Sequence, residues 1–283
     1  VSVFSDPAII ALLQTKFIPV AVDNHHIEKQ KDAEGDFYRK VASHQGEYIC
    51  TPEGKLLGST NTHSASHLKG LMEKALKDYQ PPDAPPASEA AADPRFNRAP
   101  PADGLIVSAT TKVLGGYPDT GDRKVKIYQE SLGRDHVWLE KADVDALAQG
   151  RITDRLRDRI GCYHLVDNTR GEPPWWRKQE IKALELTLSN NTLTGKAHFE
   201  SEKGDRGYVA DLRGVVEVKD GKVIRFDLVA KGDAWGAGRY NGGQPPGKYP
   251  LAVAFTLTDP KRDADRVLPQ GACRGNFGGY FGQ

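Results

Sequence analysis

The chain has 283 residues, enough for two domains, and its 39 Lys+Arg against 38 Asp+Glu leave a formal net charge of +1. Such a balance gives no global pull towards polyanions and argues against a nucleic-acid partner. No apolar run reaches the roughly 20 residues of a membrane helix, and three cysteines are too few for a disulfide scaffold.

Read from its first residue, the chain opens on Val1 rather than Met, with no visible signal segment. Removal of an upstream signal peptide would explain this, so the expected compartment is extracytoplasmic, periplasmic or secreted. Ser5-Asp6-Pro7 reads as a helix start, with Ser5 as the capping hydroxyl. Ile9, Ile10, Leu12, Leu13 and Phe17 follow as its apolar stripe. Phe17 to Asp23 reads as a buried strand. Glu47 to Thr51 and Lys55 to Ser59 read as two strands joined by the turn Pro52-Glu53-Gly54. Leu68, Leu71, Met72, Ala75, Leu76 and Tyr79 have the spacing of one buried helical face.

Gln80 to Asp103 holds seven prolines and almost no large apolar residues. It cannot bury enough surface to fold and reads as a stiff, partly polyproline linker. Beyond it, Ile152, Leu156 and Ile160 mark a helical insert that Gly161 is placed to end. Five alternating segments come next: 184–188, 192–200, 208–218, 223–230 and 251–257. Ser189-Asn190-Asn191 and Asp220-Gly221 supply the turns, so the pattern predicts an antiparallel meander in a twisted sheet or half-open barrel. The aromatic, glycine-rich tail from Gly275 to Gly282 reads as a flexible end or an added strand.

The segments Val3-Phe4-Ser5-Asp6-Pro7-Ala8-Ile9, Phe17-Ile18-Pro19-Val20-Ala21-Val22-Asp23 and Thr51-Pro52-Glu53-Gly54-Lys55-Leu56-Leu57 together resemble the thioredoxin-like superfamily, closest to a bacterial branch. The resemblance covers about 75 residues and implies a thioredoxin-type α/β sandwich over residues 1–79. It does not bring the activity with it. The Cys-x-x-Cys dithiol that disulfide exchange needs would fall upstream of Val1, and Ser43-His44-Gln45-Gly46-Glu47-Tyr48 lacks the proline that usually precedes the hairpin strand. The two-domain arrangement resembles thioredoxin-family proteins of the planctomycete type, whose second domain supplies no activity to carry across. The expected fold class is therefore α+β: a thioredoxin-like domain over 1–79, a linker over 80–103, and a mainly antiparallel β domain with a helical insert over 104–283.

Candidate chemistry is scattered. Five of the eight histidines precede residue 70, among them His63 and His67, four apart as two ligands on one helical face would be. Ser64 or Ser66 as a helix cap would instead leave His63 outside the helix. The densest polar run is Cys162 to Trp176. There His164 could act as general base, Asp167 or Glu172 could orient it, Arg170 could stabilise charge, and Cys162 or Tyr163 could react. The competing reading makes this run a structured connection, with Arg170 paired to Glu172 and Trp175 and Trp176 capping a sheet edge. His198 lies on the polar face of its strand and joins His164 as a metal candidate for copper, zinc or iron only if that face lines a barrel. Trp235, Arg239 and Tyr240, with Trp175 and Trp176, are candidates to grip a small molecule, glycan or protein ligand. Cys162 and Cys273 either pair in a disulfide or stay reduced and buried. The favoured function is a binding or scaffold module acting through the β domain. The alternative is a metal- or thiol-assisted enzyme around residues 162–176.

Overall fold

The computed structural model describes residues 3–22, 28–42, 45–62, 64–79, 98–259, 262, 265–273 and 275–282. The chain divides into two units, Val1–Asn97 and Arg98–Gln283. Most of the proline-rich stretch, residues 80–97, lies outside the described residues, as do His25, His26, His44 and His63. Residues 98–103 group with the second unit, where the Arg98 guanidinium sits 4.6 Å from the centre of the Phe277 ring.

In the first unit, α1 (Pro7–Lys16) is capped by Asp6 rather than Ser5, its carboxylate accepting from the Ala8 and Ile9 amides. A second helix, α2 (Ala33–Val41), is capped by Asp32. Strands β1 (Glu47–Cys50) and β2 (Leu56–Thr60) form the expected hairpin, turned through Gly54 at φ 81°. Helix α3 (Ala65–Asp78) then packs Leu68, Met72 and Ala75 against Val3, Ile9 and Ile49. The expected buried strand at Phe17–Asp23 does not form. Residues 17–22 belong to no strand, with Ile18 74% and Val20 61% exposed, and Asp23 lies outside the described residues. A strand needs a neighbour to take its backbone hydrogen bonds. The described sheet of this unit has only β1 and β2.

The second unit is built on a seven-stranded antiparallel sheet in the order β4-β3-β9-β8-β7-β6-β5. The meander runs through β5 (Ile181–Ser189), β6 (Thr192–Glu200), β7 (Gly207–Lys219), β8 (Lys222–Trp235) and β9 (Lys248–Leu257). Its tight turns are those the sequence marks, with Asn190, Asn191, Asp220 and Gly221 all at positive φ. Two strands absent from the sequence reading, β3 (Leu105–Val113) and β4 (Gly133–Leu139), extend the sheet beyond β9. Helix α4 (Arg123–Glu130) lies in the connection between them.

One face of the sheet carries the main core, including Val107, Leu193, Phe199, Leu212, Phe226, Leu228 and Phe255. Against it pack α5 (Lys141–Ala148) and the insert, α6 (Asp154–Arg159), which continues into a π-helical turn at Ile160–His164. The insert touches β5, and its π-turn touches β4. Both edge strands thus meet one helical segment, so the sheet curls around it. Glycines on the inward face permit the curl. An added Cβ at Gly195, Gly214 or Gly232 would come within 2.0, 2.2 or 1.9 Å of a carbonyl oxygen on the neighbouring strand. Gly161 does not end the insert as expected. It lies inside the π-turn, where a Cβ would sit 2.4 Å from Leu184 of β5. The tail is neither a loose end nor a strand. It forms α7 (Phe277–Phe281), which with Ala272 covers Trp138 and Ile106 of β3 and β4.

Candidate functional site

The run from Cys162 to Trp176 crosses from the π-turn to the rim of the sheet, and its polar side chains divide between two buried networks. His164 belongs to the first. Its side chain is closed to solvent, with Nε2 2.8 Å from the Tyr280 hydroxyl and Nδ1 3.0 Å from an Asp135 oxygen. The Asp135 contact lies off the hydrogen-bonding direction of the ring, so Nδ1 has a charge neighbour without a formed hydrogen bond. The second oxygen of Asp135 accepts from the His136 and Gln270 amides. Asp167 and Glu172, the expected orienting groups, are not its partners. Burial and the Asp135 carboxylate push the Tyr280 phenol well above its ordinary pKa.

Arg159 completes this region. It donates to the carbonyls of Trp138 (2.9 Å) and Tyr280 (3.1 Å) and to the carboxylates of Asp143 (2.8 Å) and Glu140 (3.1 Å). Its guanidinium also faces the Phe281 ring at 4.7 Å. The histidine and arginine together tie the C-terminal segment to β4 and the insert.

The second network centres on Asp167. One oxygen accepts from the Thr169 amide and hydroxyl, and the other from Arg170 at 2.5 Å and the Tyr249 hydroxyl at 2.9 Å. Arg170 reaches on to the Tyr117 hydroxyl at 2.9 Å. Burial opposes the Arg170 charge, but the Asp167 carboxylate outweighs it and raises the guanidinium pKa. Burial, reinforced by the same carboxylate, pushes the Tyr249 phenol up. Arg170 therefore pairs with Asp167, not Glu172. Glu172 forms a backbone bridge with Tyr240. Asn241 anchors this loop by donating to the Asp167 carbonyl at 3.0 Å.

The aromatic candidates separate in the same way. Trp176 is core. Its ring stacks on Phe199 at 5.2 Å, its indole N–H donates to the Leu165 carbonyl, and the Arg206 guanidinium covers it at 3.7 Å. Trp175 is half-buried, edge-on to Tyr163. Tyr240 is 63% exposed with the Arg239 guanidinium 5.3 Å from its ring. Trp235, at the end of β8, lines an open cleft of about 650 Å3 together with Glu200, Asp205, Gln244, Pro245, Pro246 and Lys248. Its ring is held in place: the indole N–H donates to the Gly204 carbonyl at 3.0 Å, and Gly207 leaves room for it, since a Cβ there would meet the ring at 2.1 Å. The Lys248 ammonium lies 4.7 Å from the ring centre.

No metal site forms among the described residues, where no group of three His, Cys, Asp or Glu side chains converges. The copper, zinc or iron expectation for His164, His198 and His67 finds no ligand set among the described residues, since none of them lies in a group of three such donors. His198 is 41% exposed on β6 with Glu200 3.6 Å away, the solvent-facing placement its alternation predicts. His67 is exposed on α3, whose cap is Ser64. No disulfide joins Cys162 to Cys273, the pairing set out above. Burial pushes the Cys162 thiol up to about 11.

Residue-by-residue reading missed Asp135 and Tyr280 beside His164, and Tyr117 and Tyr249 beside the Asp167–Arg170 pair. None lies near its partner in sequence, so no local pattern could find them. No family model, curated protein or solved structure matches this chain.

Proposed function

We propose that this protein is a binding protein whose second unit takes up its ligand in the Trp235 cleft, and that its first unit is a thioredoxin-like module. The observation that carries the reading is the cleft lining. A fixed indole and two prolines stand beside two carboxylates, an amide and an ammonium in an open cleft whose volume falls within the range of small-ligand sites, about 300–1,000 Å3. An enzyme site at residues 162–176 would need its reacting groups open to substrate. The side chains of His164 and Arg170 are closed to solvent and Asp167 is 6% exposed, each tied to protein partners. Those contacts favour a framework role. In the first unit, burial raises the pKa of Cys50, which disfavours the attacking thiolate.

The test uses the indole N–H resonances of the four tryptophans as reporters in a screen of saccharides and short peptides. Binding in the cleft shifts the Trp235 signal and leaves Trp138 unmoved. A ligand that shifts Trp138 and Trp175 while Trp235 stays silent would place the site at the 162–176 run and overturn the reading.

A further inference from the structure

The His164–Tyr280 pair has a chemistry that holding the fold does not use. The Tyr280 hydroxyl and His164 Nε2 lie 2.8 Å apart, within reach of direct proton transfer. The Asp135 carboxylate, 3.0 Å from Nδ1, favours the tautomer with its proton there and leaves Nε2 to accept from the phenol. A proton moved from Tyr280 to Nε2 makes an imidazolium beside that carboxylate, in an interior that strengthens their attraction. Both side chains are buried, so bulk water does not compete for the proton.

Neighbouring tyrosines have weaker proton acceptors. Tyr163 donates to the Gly279 carbonyl at 3.4 Å and accepts from the Asn276 amide at 3.2 Å. Tyr208 donates to the Ala230 and Leu251 carbonyls. Neither kind of partner takes a proton near neutral pH. Tyr249 donates to Asp167, but a carboxylate has an ordinary pKa about 2.5 below that of imidazole, and this one also accepts from Arg170. Of these four, Tyr280 alone has an imidazole ready for its proton. The Arg159 guanidinium, 5.3 Å from the Tyr280 ring centre, opposes a positively charged ring, so electron loss there has to be joined to loss of the phenol proton.

A row of aromatic rings connects this pair to solvent. Trp175 is half-buried, its ring centre 5.3 Å from that of Tyr163, which in turn lies 5.1 Å from the Tyr280 ring. Indole and phenol rings in such contact pass electrons readily. We infer that Tyr280 is a redox-active tyrosine that takes up oxidising equivalents delivered at Trp175 by a small-molecule one-electron oxidant. The oxidant gains one electron, which leaves Tyr280 by way of Tyr163 and Trp175. The phenol O–H bond breaks, its proton bonds to Nε2 of His164, and a neutral tyrosyl radical remains. A one-electron reductant such as ascorbate returns the electron, and the imidazolium gives the proton back.

The experiment flash-illuminates the full chain with a ruthenium tris-bipyridyl sensitiser and persulfate as electron acceptor. Transient absorption follows the radical, and freeze-quench electron paramagnetic resonance with ring-deuterated tyrosine identifies it. A long-lived neutral tyrosyl radical that ascorbate quenches is expected. Electron–nuclear double resonance on the parent protein should find an exchangeable proton held against the radical oxygen. Tyr280→Phe should lose the signal. His164→Gln, which keeps a hydrogen-bond partner but not the base, should lower its yield, and Trp175→Phe should slow its formation. Urea midpoints certify the fold of each variant. Four results overturn the inference: a parent protein without a long-lived tyrosyl radical, a radical lacking the exchangeable proton, a signal that survives in folded Tyr280→Phe, or formation just as fast in Trp175→Phe. An unchanged yield in folded His164→Gln overturns it too.

Discussion

Loss of the Arg159 side chain should destabilise the second unit strongly. Arg159 is 2% exposed, and its side-chain bonds join β4, α5 and α7. Arg159→Met would strip the charge partner from Asp143, whose side chain is only 3% exposed, and would leave the Trp138 and Tyr280 carbonyls without this donor. Breaking a buried pair in this way costs about 3–5 kcal/mol, because the remaining charge stays desolvated. Glu140 keeps the figure from rising further, since at 26% exposure it can turn to water. All four tryptophans lie in the second unit, so urea unfolding followed by tryptophan fluorescence reports on that unit alone. With a slope of about 2 kcal/mol/M, the midpoint should fall by about 1.5–2.5 M. The double variant Arg159→Met/Asp143→Asn removes the stranded charge while keeping an acceptor for Thr153, and should recover about half of the loss. A fall of less than about 0.5 M for the single variant, or a double variant no better than the single, would refute the reasoning.

Four further outcomes are expected. Gly214→Ala should destabilise the second unit by about 1–3 kcal/mol, because the new Cβ would meet the backbone of β8 at 2.2 Å. Gly70→Ala, in a stretch of α3 with no atom within 4 Å of the new Cβ, should raise first-unit stability by about 0.5–1 kcal/mol, read by far-UV circular dichroism while tryptophan fluorescence stays unchanged. In a Cys50→Ser/Cys273→Ser background, Cys162 should label roughly a hundredfold more slowly than an ordinary thiol near neutral pH, its pKa being pushed up to about 11; rapid labelling of the folded protein would contradict its burial. Tyr208, Tyr249 and Tyr280 all have phenol pKa values raised above the ordinary 10.0, burial being the main cause. The folded state therefore keeps these protons when the unfolded chain has lost them. The associated stability is complete below about pH 10 and declines above it by about 1.4 kcal/mol per pH unit for each tyrosine. Urea midpoints measured across that range, with phenolate absorbance in parallel, check this. Three phenols titrating near their ordinary value in the folded protein would count against it.

Elements whose signals are local were legible. The meander β5 to β9 follows from alternation and from Asn190-Asn191 and Asp220-Gly221, turn residues that adopt positive φ at little cost. The hairpin around Gly54 and the buried stripe of α3 were readable for the same reason. Strand β3 alternates too, but through small and polar residues such as Ser108, Ala109 and Thr110, and β4 opens on Gly133-Arg134-Asp135-His136. What makes each a strand is its neighbour, β9 for one and β3 for the other.

The amino-acid sequence by itself determined the mixed α+β class, the run of antiparallel strands, the hairpins and the solvent-facing side of His198, because those depend on residues a few positions apart. Only the tertiary structure decided that His164 meets Tyr280, 116 residues away, and that Asp167 meets Tyr249, 82 residues away. It also decided that the aromatic tail becomes a buried helix over Trp138, and that Trp235 opens onto a cleft while Trp176 closes into the core. A tryptophan carries the same indole in either setting. Whether its face meets Phe199 or a ligand depends on what the sheet's curl brings against it, and residues far apart in sequence set that curl.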